Sequence, residues 1–297
     1  FEVAVFLNIS EDHISPIEHK DFEDYYTSKM KMFGLAKHAV VNLDADEQAR
    51  TLHYANAAGD FVTFSTQNPA ADYYAYDIRK EADGIHFMVK SHDFDEAFAL
   101  TMPGLFNVEN ALAVIAAAWI LKIPMAYIKS GLYKARSSGR MELYTSQDGM
   151  VTAVVDYAHN KLSFEKLFGS TKAEYPGHDI VAIFGCPGGK ALVRRKDLGT
   201  IAGGYCTKVY LCAEDPGPEE ARLISEDIAQ YVAAQNCPYE IIEDRGEAIK
   251  KAIFACEKKT VLLITGKGNE TRQKYGTAYL DCLSDVQYVK LFLSEYD

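Results

Sequence analysis

The sequence predicts an α/β protein of two domains, the second of which is built around a parallel sheet. Its 297 residues are enough for two domains of ordinary size, each with its own core. From residue 151 to residue 264, short apolar stretches alternate with helical ones. This alternation is typical of a parallel sheet covered by helices on both faces. The small-residue run Ser137-Ser138-Gly139 precedes this region, so we expect domains at 1–136 and 137–297.

The first domain is predicted to combine strands and helices with an antiparallel region. Its expected elements are strands at 3–7 and 38–43 and helices at 21–33, 108–121 and 126–135. Between residues 52 and 101, apolar or aromatic positions alternate with polar ones, as at Ile85, Phe87 and Val89. A period of two residues indicates antiparallel strands with one face in water.

The second domain is predicted to place its functional loops at one edge of its sheet. The expected strands are at 151–155, 180–184, 209–212, 239–242 and 261–264, and the expected helices are at 163–168, 197–202, 218–234 and 246–256. In such a sheet, ligands bind at the loops that follow the carboxyl ends of the strands. The loops to consider are therefore 156–160, 185–195, 213–219 and 265–272.

Composition and charge argue against several classes of protein. The formal net charge of −11 disfavours a general nucleic-acid binder, which presents a basic surface to phosphates. No apolar stretch reaches the roughly 18–20 residues of a membrane helix. Residues 1–7 lack the basic region and cleavage site of a signal peptide. All six cysteines lie in the second half without a CxxC pair, and we therefore expect reduced thiols in a cytoplasmic protein.

Two of the four loops carry groups suited to a nucleotide. Asp156 and His159 follow the first strand of the parallel sheet. A carboxylate there can hold a ribose hydroxyl or a metal, and a histidine can contact phosphate, although Asp and Asn also cap helices. The glycine-rich loop that ends at Lys190 lets backbone N–H groups approach an anion. Neither this loop nor any other segment matches the GxxxxGK[ST] phosphate loop.

The other two loops carry carboxylates. Glu214, Asp215 and Glu219 surround two prolines, where they can bind an ammonium group or Mg²⁺ or simply begin a solvated helix. In the last loop, Gly266 allows close approach of the backbone and Glu270 can bind an amine. Each loop alone is more often structural than functional. Their convergence at one edge of one sheet favours a binding site.

Two residues of the first domain are further candidates. His13 can ligate a metal, although a lone histidine is more often a surface or core residue. Lys29 lies on a predicted helix, where the default role is a solvated salt bridge.

Taken in order, several short strings resemble the Mur ligase family, and within it the MurE-type UDP-MurNAc-tripeptide synthetases. They lie at 6–13, 26–33, 41–44, 104–113, 139–142, 155–159 and 266–270. The most characteristic strings are Val155-Asp156-Tyr157-Ala158-His159 and Gly266-Lys267-Gly268-Asn269-Glu270. The resemblance implies that 1–136 is the back part of the central ATP-binding domain. It also implies that 137–297 is the Rossmann-like C-terminal domain, which binds the amino acid.

The resemblance further implies a reaction and individual roles. Family members use ATP and Mg²⁺ to form an acyl phosphate, which the incoming amine attacks, and the catalysis is mainly electrostatic. Lys29 matches a lysine that is carbamylated and helps to hold Mg²⁺, and His13 matches a histidine at the Mg²⁺ and phosphate site. The residues implied for ATP are Asn110 at adenine, Arg140 and Asp156 at the γ-phosphate and ribose, and His159 and Lys190 near the phosphates. The residues expected at the substrate amino acid are Glu214, Asp215, Gly266 and Glu270.

Departures from the family pattern bear on which amino acid is added. Diaminopimelate-adding members carry an Asp-Asn-Pro-Arg motif, whose arginine binds the second carboxylate of the amino acid. Here the aligned string is Glu214-Asp215-Pro216-Gly217, so that arginine is absent. The acidic side chains suit a distal ammonium group, and we therefore favour L-lysine, with meso-diaminopimelate as the alternative. Asn269 also replaces the histidine of the family's Gly-Lys-Gly-His-Glu motif.

The expected function is the addition of L-lysine to UDP-N-acetylmuramoyl-L-alanyl-D-glutamate in peptidoglycan synthesis, by a monomer without membrane or nucleic-acid partners. The family's uridine-nucleotide domain, phosphate loop and upstream Mg²⁺-binding glutamate are expected to precede residue 1. Residues 1–297 alone are therefore expected to lack ligase activity.

Two rival functions follow from the same residues. A folylpolyglutamate synthetase is disfavoured because clustered carboxylates would repel its glutamate substrate. A non-catalytic Mur-like binding module is the other, and the length of the complete reading frame distinguishes it.

Overall fold

A computed structural model describes residues 1–11, 14 and 19–297. The chain divides into two compact units, Phe1–Arg136 and Ser137–Asp297. Within the described ranges, no helix combines the length and the apolar character that crossing a bilayer requires.

The first unit is a mixed sheet with helices packed on it. Its strands are β1 (Val3–Phe6), β2 (His38–Asn42), β3 (Asp60–Ser65), β4 (Tyr73–Glu81), β5 (Gly84–Lys90) and β6 (Asp95–Leu100). Its helices are α1 (Phe22–Met30), α2 (Gln48–Ala55), α3 (Asn107–Ile120) and α4 (Met125–Lys134), with a 3₁₀ turn at Phe33–Leu35. The strands lie side by side in chain order. From β1 to β4 neighbours are parallel, and from β4 to β6 they are antiparallel.

The expectation of antiparallel strands between residues 52 and 101 is therefore right for β4 to β6 and wrong for β3. Strand β3 pairs in parallel with both β2 and β4. Residues 52–55 are not in a strand, because they end helix α2. Alternation of polar and apolar residues reports which face of a strand is buried, and it does not report the direction of the neighbouring strand.

Successive residues of β2 face two different cores in the first unit. Val40 lies in a cluster with Leu112 and Ile115 of α3. Val41, the next residue, lies in a second cluster with Tyr26 of α1. All five of these side chains are fully buried, and each large apolar one contributes about 1.5–3 kcal/mol to folding.

The second unit is a doubly wound sheet, as the sequence predicts. Its main strands are β7 (Glu142–Thr145), β8 (Val151–Asp156), β9 (Asp179–Phe184), β10 (Lys208–Leu211), β11 (Tyr239–Ile241) and β12 (Thr260–Thr265). Its helices are α5 (Lys161–Glu174), α6 (Val193–Tyr205), α7 (Ala221–Ala233), α8 (Arg245–Phe254) and α9 (Asp285–Tyr296). The strand order is β11-β10-β9-β12-β8-β7, and only the β7–β8 pair is antiparallel. Three features were not predicted from the sequence: β7, α9 and a hairpin formed by β13 (Arg272–Tyr275) and β14 (Ala278–Asp281).

Strand β12 lies at the centre of this sheet and is buried along its whole length. On one face, Leu262 and Ile264 pack with Ile249 of α8 and Val289 of α9. On the other face of the sheet lies α5, whose Phe164 ring meets Phe184 of β9 edge-on at 5.2 Å between centroids. Coverage on both faces explains why this strand reads as an uninterrupted apolar run.

The carboxyl ends of β8, β9, β10 and β12 form one edge of this sheet, called here the rim. Strands β8 and β9 are consecutive in the chain, but β12 lies between them. The connections therefore reverse direction at this point, which leaves a crevice where doubly wound sheets bind ligands. Four loops begin at the rim, and they comprise residues 156–160, 185–195, 212–219 and 265–272.

Candidate functional site

A buried lysine lies at the centre of the rim. The Lys267 ammonium is 2.9 Å from Oδ1 of Asp215 and 2.7 Å from Oε2 of Glu270. Only 3% of the Lys267 side chain is exposed, compared with 27% for Asp215 and 43% for Glu270. Burial acts to lower the pKa of Lys267, but its hydrogen bonds to the two carboxylates outweigh burial and raise that pKa above the ordinary value. The lysine is therefore charged and holds the two carboxylates together.

Glu214 is a buried carboxyl group at the rim. It is 8% exposed, and burial raises its pKa to about 7, with Asp215 adding to the effect while Arg245 and Lys267 oppose it. Its Oε2 atom lies 3.2 Å from the position that a Cβ would take on Gly266. Gly266 also has φ of +103°, so a side chain there would be strained and would crowd Glu214. Glycine at this position is what lets the acid lie against the loop.

An ion pair beneath the rim holds the 266–270 loop in place. Arg245, at the start of α8, contacts Asp285, at the start of α9, through two hydrogen bonds of 2.6 and 2.8 Å. Arg245 also donates to the carbonyl of Thr265 at 2.7 Å, and Asp285 accepts from the Gly268 amide at 3.0 Å. The pair therefore fixes the loop backbone on both sides of Lys267.

Asp156 organises the loop after β8. One of its oxygens accepts from the Met141 amide at 2.9 Å and the other accepts from the Ala158 amide at 2.8 Å. Burial nevertheless raises the pKa of Asp156, against the effect of both amides. The helix-capping alternative applies to its neighbour, since Asn160 caps α5 through a reciprocal pair of contacts with Ser163.

Tyr157 joins this loop to the loop after β12. Its hydroxyl donates to Oε1 of Glu270 at 2.7 Å. The guanidinium of Arg140 lies over its ring, 4.6 Å from the centroid, and the His159 ring packs against it edge-on at 5.0 Å. Arg140 is exposed, so it remains accessible to an anion.

The glycine-rich loop after β9 packs directly on the acidic loop. The Gly188 amide donates to the Asp215 carbonyl at 3.0 Å, and a Cβ on Gly188 would lie 1.8 Å from the Pro216 carbonyl oxygen. No residue with a side chain fits there. Lys190 is exposed at the end of this loop.

Glu219, one of the carboxylates of the acidic loop, forms an ion pair with a buried arginine. Both of its oxygens accept from Arg195 at 2.9 Å. Arg195 is buried and also contacts Asp227 at 3.2 Å. The arginine needs a carboxylate because its charge is out of water, and Glu219 meets that need.

Asn269 takes part in a contact with the segment that precedes β7. Its amide group contacts Ser138 and donates to Glu142 at 3.2 Å. Glu142 also accepts from the Gly139 amide at 2.6 Å. The asparagine that departs from the family motif thus anchors the loop to residues 138–142.

Lys29 and Asn110, two candidates of the first unit, lie in exposed positions. Lys29 is near the end of α1, with its ammonium 5.3 Å from the centroid of the Tyr25 ring. Asn110 is in the first turns of α3 and donates to Asn107 at 2.9 Å. His13 lies outside the described residues. Their assigned roles therefore stay predictions.

The loops predicted from the sequence do meet at the rim, but the residues that connect them were not predicted. Asp156, Glu214, Asp215, Gly266 and Glu270 do lie at one rim, as predicted. Lys267, Tyr157, Arg245 and Asp285 were not singled out as functional. For Lys267 the available signal was its position between two glycines after an apolar strand. For Arg245 and Asp285 no local signal exists, because each looks like an ordinary residue at a helix start.

Comparison with known proteins places both units in one family. Residues 1–118 match the family model of the Mur ligase middle domain, and residues 139–268 match that of the Mur ligase glutamate ligase domain. The UDP-N-acetylmuramoyl-L-alanyl-D-glutamate–2,6-diaminopimelate ligase of Clostridioides difficile is 34% identical over 93% of this chain and 57% of its own length. The corresponding L-lysine ligase of Streptococcus agalactiae serotype Ia is 34% identical over 99% of this chain and 58% of its own length. The chain thus spans less than two thirds of these relatives.

Solved structures agree with this assignment. A UDP-N-acetylmuramoyl-L-alanyl-D-glutamate–2,6-diaminopimelate ligase aligns with a TM-score of 0.61 and 26% identity, covering 100% of this chain and 61% of that chain. A pseudomurein peptide ligase type C from Methanothermus fervidus aligns with a TM-score of 0.73 over 100% of this chain and 64% of that chain. At 19% identity, the latter supports the fold alone.

Proposed function

Because this chain belongs to the Mur ligase family, we propose that the protein containing it is an ATP-dependent ligase of peptidoglycan synthesis. It adds a diamino acid, L-lysine by preference, to UDP-N-acetylmuramoyl-L-alanyl-D-glutamate. The observation that carries the proposal is the group of three carboxyls at the rim, Glu214, Asp215 and Glu270. Next to them, Gly217 occupies the position at which diaminopimelate-adding members of the family have an arginine.

The rim suits the ammonium end of a diamino acid. Asp215 and Glu270 are partly exposed, and each has one oxygen paired with the Lys267 ammonium. Each carboxylate oxygen can accept more than one hydrogen bond, so an ammonium group can bind beside Lys267. Charge-assisted hydrogen bonds of this kind are roughly twice as strong as neutral ones.

Gly217 is the reason for favouring L-lysine. Its backbone is pinned, since its amide donates to the Lys274 carbonyl at 2.9 Å and its φ is +57°. Without a side chain, this position offers no cation to the second carboxylate of meso-diaminopimelate. The relatives leave the choice open, because a diaminopimelate ligase and an L-lysine ligase are equally identical to this chain, at 34%.

The residues present also suit ATP and Mg²⁺. Arg140 and Lys190 are exposed cations without an ion pair among the described residues, and phosphate oxygens bind such groups. The resemblance assigns Asn110, Asp156 and His159 to the rest of the nucleotide. When bound, ATP activates the carboxylate of the nucleotide-linked substrate by phosphorylation, and Mg²⁺ neutralises phosphate charge.

Lys29 and His13 are proposed for the metal. An ammonium group is not a metal ligand, but a carbamate on Lys29 would carry a negative charge and oxygen ligands, which Mg²⁺ prefers. The exposed position of Lys29 allows such a modification.

A competition assay on the complete protein tests the substrate. With ATP and UDP-N-acetylmuramoyl-L-alanyl-D-glutamate, L-lysine should be incorporated in preference to meso-diaminopimelate when both are present. Equal incorporation, or preference for the diacid, would overturn the specificity.

A Lys29→Ala variant tests the metal site. Its turnover should fall severely and recover in part when a small carboxylic acid is added. Lys31→Ala is the matched control, because Lys31 is an exposed lysine just beyond the same helix. Full turnover in Lys29→Ala would remove this lysine from the mechanism.

A further inference from the structure

We infer that Lys267 and Tyr157 are positioning residues, which fix Asp215 and Glu270 at the rim so that together they accept one ammonium group of the amino acid. The inference rests on the proposed function and adds to it the residues that determine the charge and spacing of the amine site.

The position of Lys267 in the sheet is the first argument. Lys267 follows β12 and Asp215 follows β10, and these strands are separated by β9. The Lys267 side chain therefore spans the end of β9 to reach Asp215 at 2.9 Å. Glu270 is on the same turn as Lys267, since its amide donates to the Lys267 carbonyl at 2.9 Å. One buried ammonium thus bridges two carboxylates from different loops.

Tyr157 fixes Glu270 from the opposite side. It follows β8, the other neighbour of β12, and its hydroxyl donates to the Glu270 oxygen that does not contact Lys267. Each oxygen of Glu270 is therefore held by a different loop. A side chain that is 43% exposed would otherwise sample several rotamers.

The charge of this group matches one kind of ligand. Two carboxylates and one ammonium give the group of Lys267, Asp215 and Glu270 a formal charge of minus one. The distal end of L-lysine carries one positive charge, whereas that of meso-diaminopimelate carries an ammonium and a carboxylate and is neutral overall. Without Lys267 the two carboxylates would repel each other and move apart, so the amine would lose a preformed site.

Kinetics of the complete protein test this role. In Lys267→Met, KM for L-lysine should rise about ten- to a hundredfold, with a smaller change in kcat and an unchanged KM for ATP. Lys267→Arg should recover part of the loss, because it restores the charge. Tyr157→Phe should raise the same KM about three- to tenfold and should fold normally, since it removes one hydroxyl from a half-buried ring.

Lys208→Met is the matched control. Lys208 is also an ion-paired lysine, with Glu240 at 3.2 Å, although its side chain is 36% exposed. It lies at the start of β10, at the opposite edge of the sheet. Its KM for the amino acid should not change.

The outcomes separate this inference from the proposed function. If the wild-type protein prefers meso-diaminopimelate, the specificity proposal is wrong, and the KM of that substrate then reports on the positioning role. An unchanged amino-acid KM in folded Tyr157→Phe and Lys267→Met would overturn the inference. Equal increases in the KM values for ATP and the amino acid would do so too, because they would indicate a general structural defect.

Discussion

Replacing Arg245 by methionine is expected to destabilise the second unit by about 3–5 kcal/mol, the usual cost of leaving a buried charge without its partner. The side chains of Arg245 and Asp285 are only 4% and 1% exposed. Without the arginine, Asp285 keeps only the Gly268 amide as a donor among its described contacts, and the Thr265 carbonyl loses its side-chain donor. For a unit of this size, each kcal/mol lowers Tm by about 2–4 °C, so a fall of roughly 6–20 °C follows.

Thermal unfolding of the chain, followed by calorimetry, measures this effect. Arg222→Met is the matched control, because Arg222 is 59% exposed and its pair with Glu226 at 3.0 Å is worth about 0–1 kcal/mol. A double variant, Arg245→Met with Asp285→Leu, should recover most of the loss, since no buried charge remains. The reasoning is refuted if Arg245→Met is no less stable than Arg222→Met.

Three further predictions concern the rim. Burial raises the pKa of Glu214 from 4.5 to about 7, so the folded protein retains a proton that the unfolded chain loses between these values. The free energy of unfolding should therefore fall by about 3 kcal/mol as pH rises through this window. In Glu214→Gln, thermal melts from pH 5 to pH 8 should show a smaller fall. The same pH dependence in the variant and the wild type would contradict this prediction. Gly188→Ala should lower Tm, because its Cβ would lie 1.8 Å from the Pro216 carbonyl oxygen. Gly204→Ala is the control and should leave Tm unchanged, because no atom lies within 4 Å of its Cβ position. Equal melting temperatures of the two variants would contradict the prediction. Gly217→Arg should raise incorporation of meso-diaminopimelate relative to L-lysine at least about tenfold, despite the strain of a side chain at φ +57°. An unchanged ratio in the competition assay would show that residue 217 does not determine which amino acid is added.

Local patterns in the sequence predicted the five parallel strands of the second unit, most of its helices and the loops that carry chemistry. Strand β12 and the helices around it can be predicted from the periodicity of apolar residues, because this pattern involves residues only a few positions apart. The acids at 156, 214 and 270 follow apolar strands, and parallel strands bring such positions to one edge. The sequence left open whether Asp156 caps the following helix. The structure decided this, because the residue that caps α5 is Asn160.

The tertiary structure alone decided which of these groups meet. Lys267 and Asp215 are 52 residues apart, Arg245 and Asp285 are 40 apart, and Tyr157 and Glu270 are 113 apart. Each contact depends on β12 lying between β8 and β9 and on helix starts that face the same loop. The pairing of Glu219 with Arg195 has the same origin. Strand order and helix docking result from the packing of the whole sheet, and no local pattern of residues encodes a partner so distant in the chain.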